Sequence, residues 1–209
     1  MKFFVTGVLL LFQTSVFAAP STAPSPLIYR EGAIGSDATF NPLSQYLNLA
    51  FDTTQNPYYF TQSGYFSNHG VLWQRVRNPF RTIDEGGGFG TFLEHEIYGL
   101  RAVPNYTLHL IGGGYDYRWL AEWYQARNVP YPYIAAFLTS YLANIGNEAL
   151  ETSAREVDAT DHVADLLIFD IAGKLLFMND SVVTFFHDTL QMRAWHFQPM
   201  FDLRKLQIV

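Results

Sequence analysis

The chain has 209 residues, a formal net charge of −6, 17% aromatic residues, 15% charged residues and no cysteine. The negative balance argues against a nucleic-acid footprint. The missing cysteine excludes thiol catalysis and disulfide bracing, so packing alone must hold the fold.

Residues 1–18 read as a secretory signal peptide. Lys2 supplies a short positive start, Phe3–Leu11 an apolar core extended through Val16 and Phe17, and Ala18 the small residue before cleavage at Ala19-Pro20. The apolar run is shorter than the roughly 20 residues that span a bilayer, and Gln13 interrupts it. The expected location is outside the cytoplasm: the periplasm, or association with the outer membrane of a bacterial envelope. Aromatic-rich, charge-poor composition adds the expectation of a membrane contact or a protein partner. Residues 19–26, APSTAPSP, form a Pro/Ser/Ala linker.

Residues 27–209 read as a single envelope domain: an irregular, aromatic-rich part at 27–103, a helical core at 104–191 and a tail at 192–209. The fold class is mainly α, a small bundle of short apolar helices. In the first part, Asn41-Pro42, Asn56-Pro57 and Asn78-Pro79 mark turns or helix starts. Pro42–Phe51 has helical spacing, with Asn41 as its cap. The aromatic, glycine-dotted stretch Tyr58–Trp73 admits short strands, Gly86–Gly88 is a break, and Phe92–Leu100 is a further short helix. His95 sits between Glu94 and Glu96, but neighbours on a helix point apart, so this acidic pair is expected on a solvated face.

In the core, residues 104–127 carry Leu108, Ile111, Tyr115, Trp119 and Trp123 at helical spacing, interrupted by Gly112-Gly113-Gly114. Each glycine costs a helix about 1 kcal/mol relative to alanine, so the patch either breaks the helix or admits another backbone very close by. Helices are expected over 133–152, over 160–178 with Asp158 or Thr160 as cap, and over 180–191. The tail 194–209 is a strand or an extended arm.

The chemistry-bearing residues lie in this core. Asn144, Glu148 and Glu151 share one face of the second core helix, and Asp158, Asp161, His162 and Asp165 recur at three-and-four spacing on the next. Asp165 and Asp170 stand in an apolar run. Asp170 has Lys174 one turn away, and Asp165 needs a partner, for which His109 is the candidate. Histidine and carboxylates so spaced suit a divalent metal or general acid–base work. They also suit a polar seam that fixes helix packing. The candidate site residues are His109, Glu148, Glu151, Asp161, His162 and Asp165, and a divalent metal is the cofactor they suggest. No H-E-x-x-H motif, P-loop or nucleophile elbow is present.

The order His109-x-x-Gly112-Gly113, Asn147-Glu148-x-x-Glu151, then Asp161-x-x-Ala164-Asp165-x-x-x-x-Asp170-x-x-Gly173 resembles bacterial envelope proteins of unknown function. In those, a His-bearing helix precedes a helix ending in Glu and an Asp/Asn-bearing helix with a Gly. More distantly it resembles VanZ-like membrane proteins, over about residues 78–178. It departs from them in lacking long uncharged spans and in carrying Asp170 near the position of an expected Asn. The resemblance implies location and helix arrangement rather than an activity. The expected function is therefore an exported, membrane-associated envelope protein with a structural or partner-binding role. The alternative is a metal-assisted hydrolase built on the His/Glu/Asp cluster.

Overall fold

The computed structural model describes residues 26–30, 41–51, 64–152, 157–192, 201–202 and 207–208. The expected signal peptide at 1–18, most of the expected linker at 19–26, Arg155 and much of the tail lie outside them. The protein is mainly α-helical, a compact bundle of short helices, as the patterning requires. Helices α1 (Pro42–Phe51), α2 (Tyr65–Arg77), α3 (Pro79–Glu85) and α4 (Gly88–Phe92) come first. They are followed by α5 (Gly113–Ala126), α6 (Pro132–Glu151), α7 (Asp161–Ala164), α8 (Asp170–Phe177) and α9 (Asp180–Thr184). A two-residue antiparallel pair joins β1 (Phe201–Asp202) to β2 (Gln207–Ile208).

Local signals explain the helix starts. The Asn41 Oδ1 accepts the backbone N–H of Ser44 at 2.9 Å, capping α1. Pro132 occupies the first turn of α6, where its missing N–H costs nothing. Asn179 caps α9 by accepting from Ser181 N. Thr160 precedes α7, but its hydroxyl donates to Glu96 and accepts from no backbone N–H of the helix, and Asp158 pairs with Arg101 at 2.9 Å. Neither therefore caps the helix by a side-chain bond. The described part of the stretch that admitted strands is helix α2. Tyr65, Asn68 and Leu72 repeat at helical spacing and face inward, and this burial outweighs the β-leaning aromatics.

Four segments wind as π-helix: Leu93–Tyr98, Asn105–Gly112, Asp165–Phe169 and Phe185–Thr189. Hydrogen bonds to the fifth residue widen the turn and rotate the residues that follow, and such segments concentrate at functional sites. The first three carry Glu96, His109 and Asp165, and the third ends just before Asp170.

Long α6 packs against α1 and α5, and α8 packs against α5 and meets α6 through Asp170 and Lys174. The glycine patch permits a very close crossing. A Cβ on Gly173 would lie 2.4 Å from the carbonyl oxygen of Leu110, and one on Gly114 would lie 2.6 Å from the carbonyl oxygen of Gly173. No side chain fits between these backbones. The crossing brings the His109 turn against the helix that carries Asp165.

At the other end of α5, Glu122 anchors the segment at Ile28 and Tyr29. Its Oε2 accepts the backbone N–H groups of Ile28 and Tyr29, each at 2.8 Å, and its Oε1 accepts from Arg118 Nε at 2.8 Å. Arg118 also pairs with Asp180 Oδ1 at 2.7 Å. Ile28 and Tyr29 are buried in the aromatic core around Tyr115, Trp119 and Phe177.

Candidate metal centre

Three elements converge on one buried spot. The π segment Asn105–Gly112 supplies His109, α6 supplies Glu148, and the π segment Asp165–Phe169 supplies Asp165. One ligand atom from each lies within 4.8 Å of the other two. His109 Nε2 is 3.3 Å from Asp165 Oδ2, the partner that the apolar setting of Asp165 demanded. The Glu148 side chain is fully buried and that of Asp165 is 3% exposed, whereas His109 keeps 20% of its side-chain surface open. The histidine therefore forms the outer edge of the spot.

His162, on α7, is fully buried and meets Glu148 from the other side, with Nδ1 2.6 Å from Glu148 Oε2. The remaining oxygens, Glu148 Oε1 and Asp165 Oδ1, are buried with no hydrogen-bond partner among the described residues. Orphaned buried carboxylate oxygens are rare and costly. Here two of them belong to the same three-residue cluster.

Below lies a second polar layer. Asp170 and Lys174 form a buried ion pair one turn apart, as their spacing anticipated, and Asn144 Nδ2 donates to Asp170 Oδ1 at 2.5 Å. The ammonium also lies over the rings of Phe137 and Tyr141, 5.6 and 5.8 Å from their centroids.

The electrostatics follow from burial. Asp165 is pushed up to about 9, first by desolvation and then by the carboxylates of Asp161, Glu151, Glu96 and Asp170. Glu148 is held well above its ordinary value by desolvation, with neighbouring carboxylates adding to the effect. His109 is lowered to about 4 by desolvation and by the Lys174 charge, and His162 to about 3 by desolvation and by Arg75. Both imidazoles are thus neutral at pH 7, with lone pairs available, and the Asp165 carboxyl carries a proton that a cation would displace.

The six sequence candidates separate in space. His109, Glu148 and Asp165 form the ligand cluster, and His162 backs Glu148. Asp161 and Glu151 stand outside the cluster. Asp161 hydrogen-bonds to Glu96 and is raised to about 7, by desolvation first and the Glu96 charge next. Glu151 accepts from Asn147 at 2.6 Å.

Glu96 corrects the expectation of a solvated acidic face. It is 4% exposed and accepts from Thr160 Oγ1 at 2.9 Å and from Asn105 Nδ2 at 3.3 Å. His95 instead lies near the surface beside Arg101 and Asp158. The π turn at Leu93–Tyr98 and the polar partners Asn105 and Thr160 make the inward turn of Glu96 tolerable. The signal that could have exposed it was the matching supply of uncharged hydrogen-bond donors elsewhere in the chain.

No family model, no curated protein and no solved structure matches this chain.

Proposed function

We propose that this is an exported protein whose His109, Glu148 and Asp165 hold one divalent cation, with metal-assisted hydrolysis as the chemistry of the centre. The observation that carries the reading is the pair of unpartnered buried oxygens, Glu148 Oε1 and Asp165 Oδ1, beside a neutral His109. One imidazole and two carboxylates suit zinc or a similar first-row ion better than calcium, which takes six to eight oxygens. Three protein donors leave a position for an outside ligand, which is the arrangement of catalytic rather than structural zinc. The exposed edge at His109 is the side from which such a ligand can approach. When bound, the ion would polarise a substrate carbonyl or phosphoryl oxygen.

The rival account is a polar seam, favoured by the direct His109–Asp165 and His162–Glu148 contacts. Asp165→Asn separates the two. An amide keeps hydrogen bonds but is a poor cation ligand. Purified wild-type protein dialysed against zinc should retain one equivalent by elemental analysis, and Asp165→Asn should retain none while melting within a few degrees of the metal-free wild type. Wild-type protein that retains no zinc would leave the seam as the account.

Among the described residues no helix is long and apolar enough to cross a membrane. A specific observation still favours contact with a membrane surface. On α2, Phe66, Trp73 and Arg77 fall on one outward stripe, with Phe66 84% and Trp73 63% exposed, and Phe80 on α3 is 69% exposed. Residues 53–83 contain Arg75, Arg77 and Arg81 but no Asp or Glu, in a chain of net charge −6. Exposed Trp and Phe beside Arg suit the boundary of an anionic bilayer. The protein should co-sediment with phosphatidylglycerol-containing vesicles, and Phe66→Ser with Trp73→Ser should reduce that binding at least about tenfold, given roughly 1.5–3 kcal/mol per large apolar side chain buried. Equal sedimentation of the double variant would discard this face.

A further inference from the structure

His162 has no place among the three ligand atoms, yet it is one of the most deeply buried polar side chains in the protein. Either nitrogen of its ring can carry a proton or a lone pair. Nδ1 faces Glu148 Oε2 at 2.6 Å, while Nε2 has no partner among the described residues. With Glu148 ionised, as a cation ligand must be, Nδ1 has to be the donor, since two lone pairs at that distance would repel. The bond occupies Oε2 and leaves Oε1, the unpartnered oxygen, as the free ligand atom.

We propose that His162 is the positioning residue of the centre: its Nδ1–H fixes the Glu148 carboxylate so that Oε1 is presented to the cation beside His109 and Asp165. This rests on the cation reading above and goes beyond it by giving the fourth side chain a distinct task. The arrangement is the mirror of the usual support for metal sites, in which a carboxylate orients a ligating imidazole, and loss of such support costs 10- to 100-fold in metal affinity. The location supports the assignment. His162 lies in the first turn of the helix that runs on into Asp165, so the same short segment supplies one ligand and aims another.

The test uses the full chain and Co2+ as a visible-absorbing probe. His162→Phe keeps a ring of similar size but removes the donor, and His162→Asn places an amide N–H near the position of Nδ1. Wild type should bind one Co2+ with ligand-field bands. His162→Asn should keep those bands with affinity within about threefold, and His162→Phe should lose 10- to 100-fold in affinity. A merely structural role would change the melting temperature of the metal-free variants in parallel while leaving the affinity of the folded fraction unchanged. If His162→Phe does not fold, His162→Asn decides alone: retained bands support the assignment, and loss of binding in a folded protein overturns it. His162→Phe binding Co2+ as tightly as wild type would also overturn it, with the cation reading intact. Wild type failing to bind Co2+ would remove both.

Discussion

Metal-free protein should lose about 2–3 kcal/mol of stability between pH 7 and pH 9, and a saturating divalent cation should abolish that loss. The sign follows from the protons held in each state. Asp165 titrates at about 9 in the fold and near 3.9 in the unfolded chain, so in this window the folded state holds a proton that the unfolded state has released. Stability from a raised carboxyl is present below the unfolded pKa and lost as pH rises through the folded one, at up to about 1.4 kcal/mol per pH unit per group. Burial raises Glu148 in the same direction. The lowered histidines, His109 and His162, act in the opposite sense, but only below about pH 6.5, where the unfolded imidazoles are charged. The range from pH 7 to 9 therefore excludes the histidines. A bound cation keeps the carboxyls ionised in the fold, the proton difference vanishes, and cation affinity rises about tenfold per pH unit for each proton displaced. Urea denaturation at pH 7, 8 and 9, with zinc and with chelator, measures both effects. A flat profile in chelator would contradict the burial of a protonated Asp165.

Glu122→Ala should cost about 3–5 kcal/mol, the usual penalty for stripping one partner from a buried ion pair. The Arg118 side chain, 5% exposed, would lose its buried counter-charge and keep the exposed Asp180, the Met178 carbonyl and the Tyr133 ring, and the backbone amides of Ile28 and Tyr29 would lose their acceptor inside the core. Glu122→Gln should cost less, because an amide oxygen still accepts from the two N–H groups. Thermal unfolding of the two variants, with proteolysis before residue 30 as a readout of the anchored segment, checks this. Equal stability of Glu122→Ala and wild type would mean that the segment is held by its apolar side chains alone.

These two sites differ in how far the sequence reveals them. The contact of His109 with Asp165 follows from a simple requirement, since a carboxyl in Val163–Leu167 needs a partner and the first core helix offered a histidine. The Asp170–Lys174 pair follows from i,i+4 spacing. The close backbone crossing was legible as one of two outcomes of the glycine patch. The π segments were not legible, because no residue pattern marks a bond to the fifth residue rather than the fourth. On a regular α-helix Asp165 and Asp170 would point about 140° apart, and Glu96 would be one of two acids flanking His95 with no reason to turn inward. The wider turns reset those directions, so the division of the carboxylates into a ligand cluster and its surroundings was hidden. Glu122 was missed for a different reason. Its partners are backbone amides more than ninety residues away, and backbone donors leave no trace in sequence.

The cation reading is tested most directly by an anomalous difference map from crystals grown with zinc, collected at the zinc edge. The account predicts a single strong peak bounded by His109, Glu148 Oε1 and Asp165, with metal–ligand distances of about 2.0–2.2 Å and the His162–Glu148 bond retained. A map with no peak there at saturating zinc, and with His109 still in direct contact with Asp165, would contradict it.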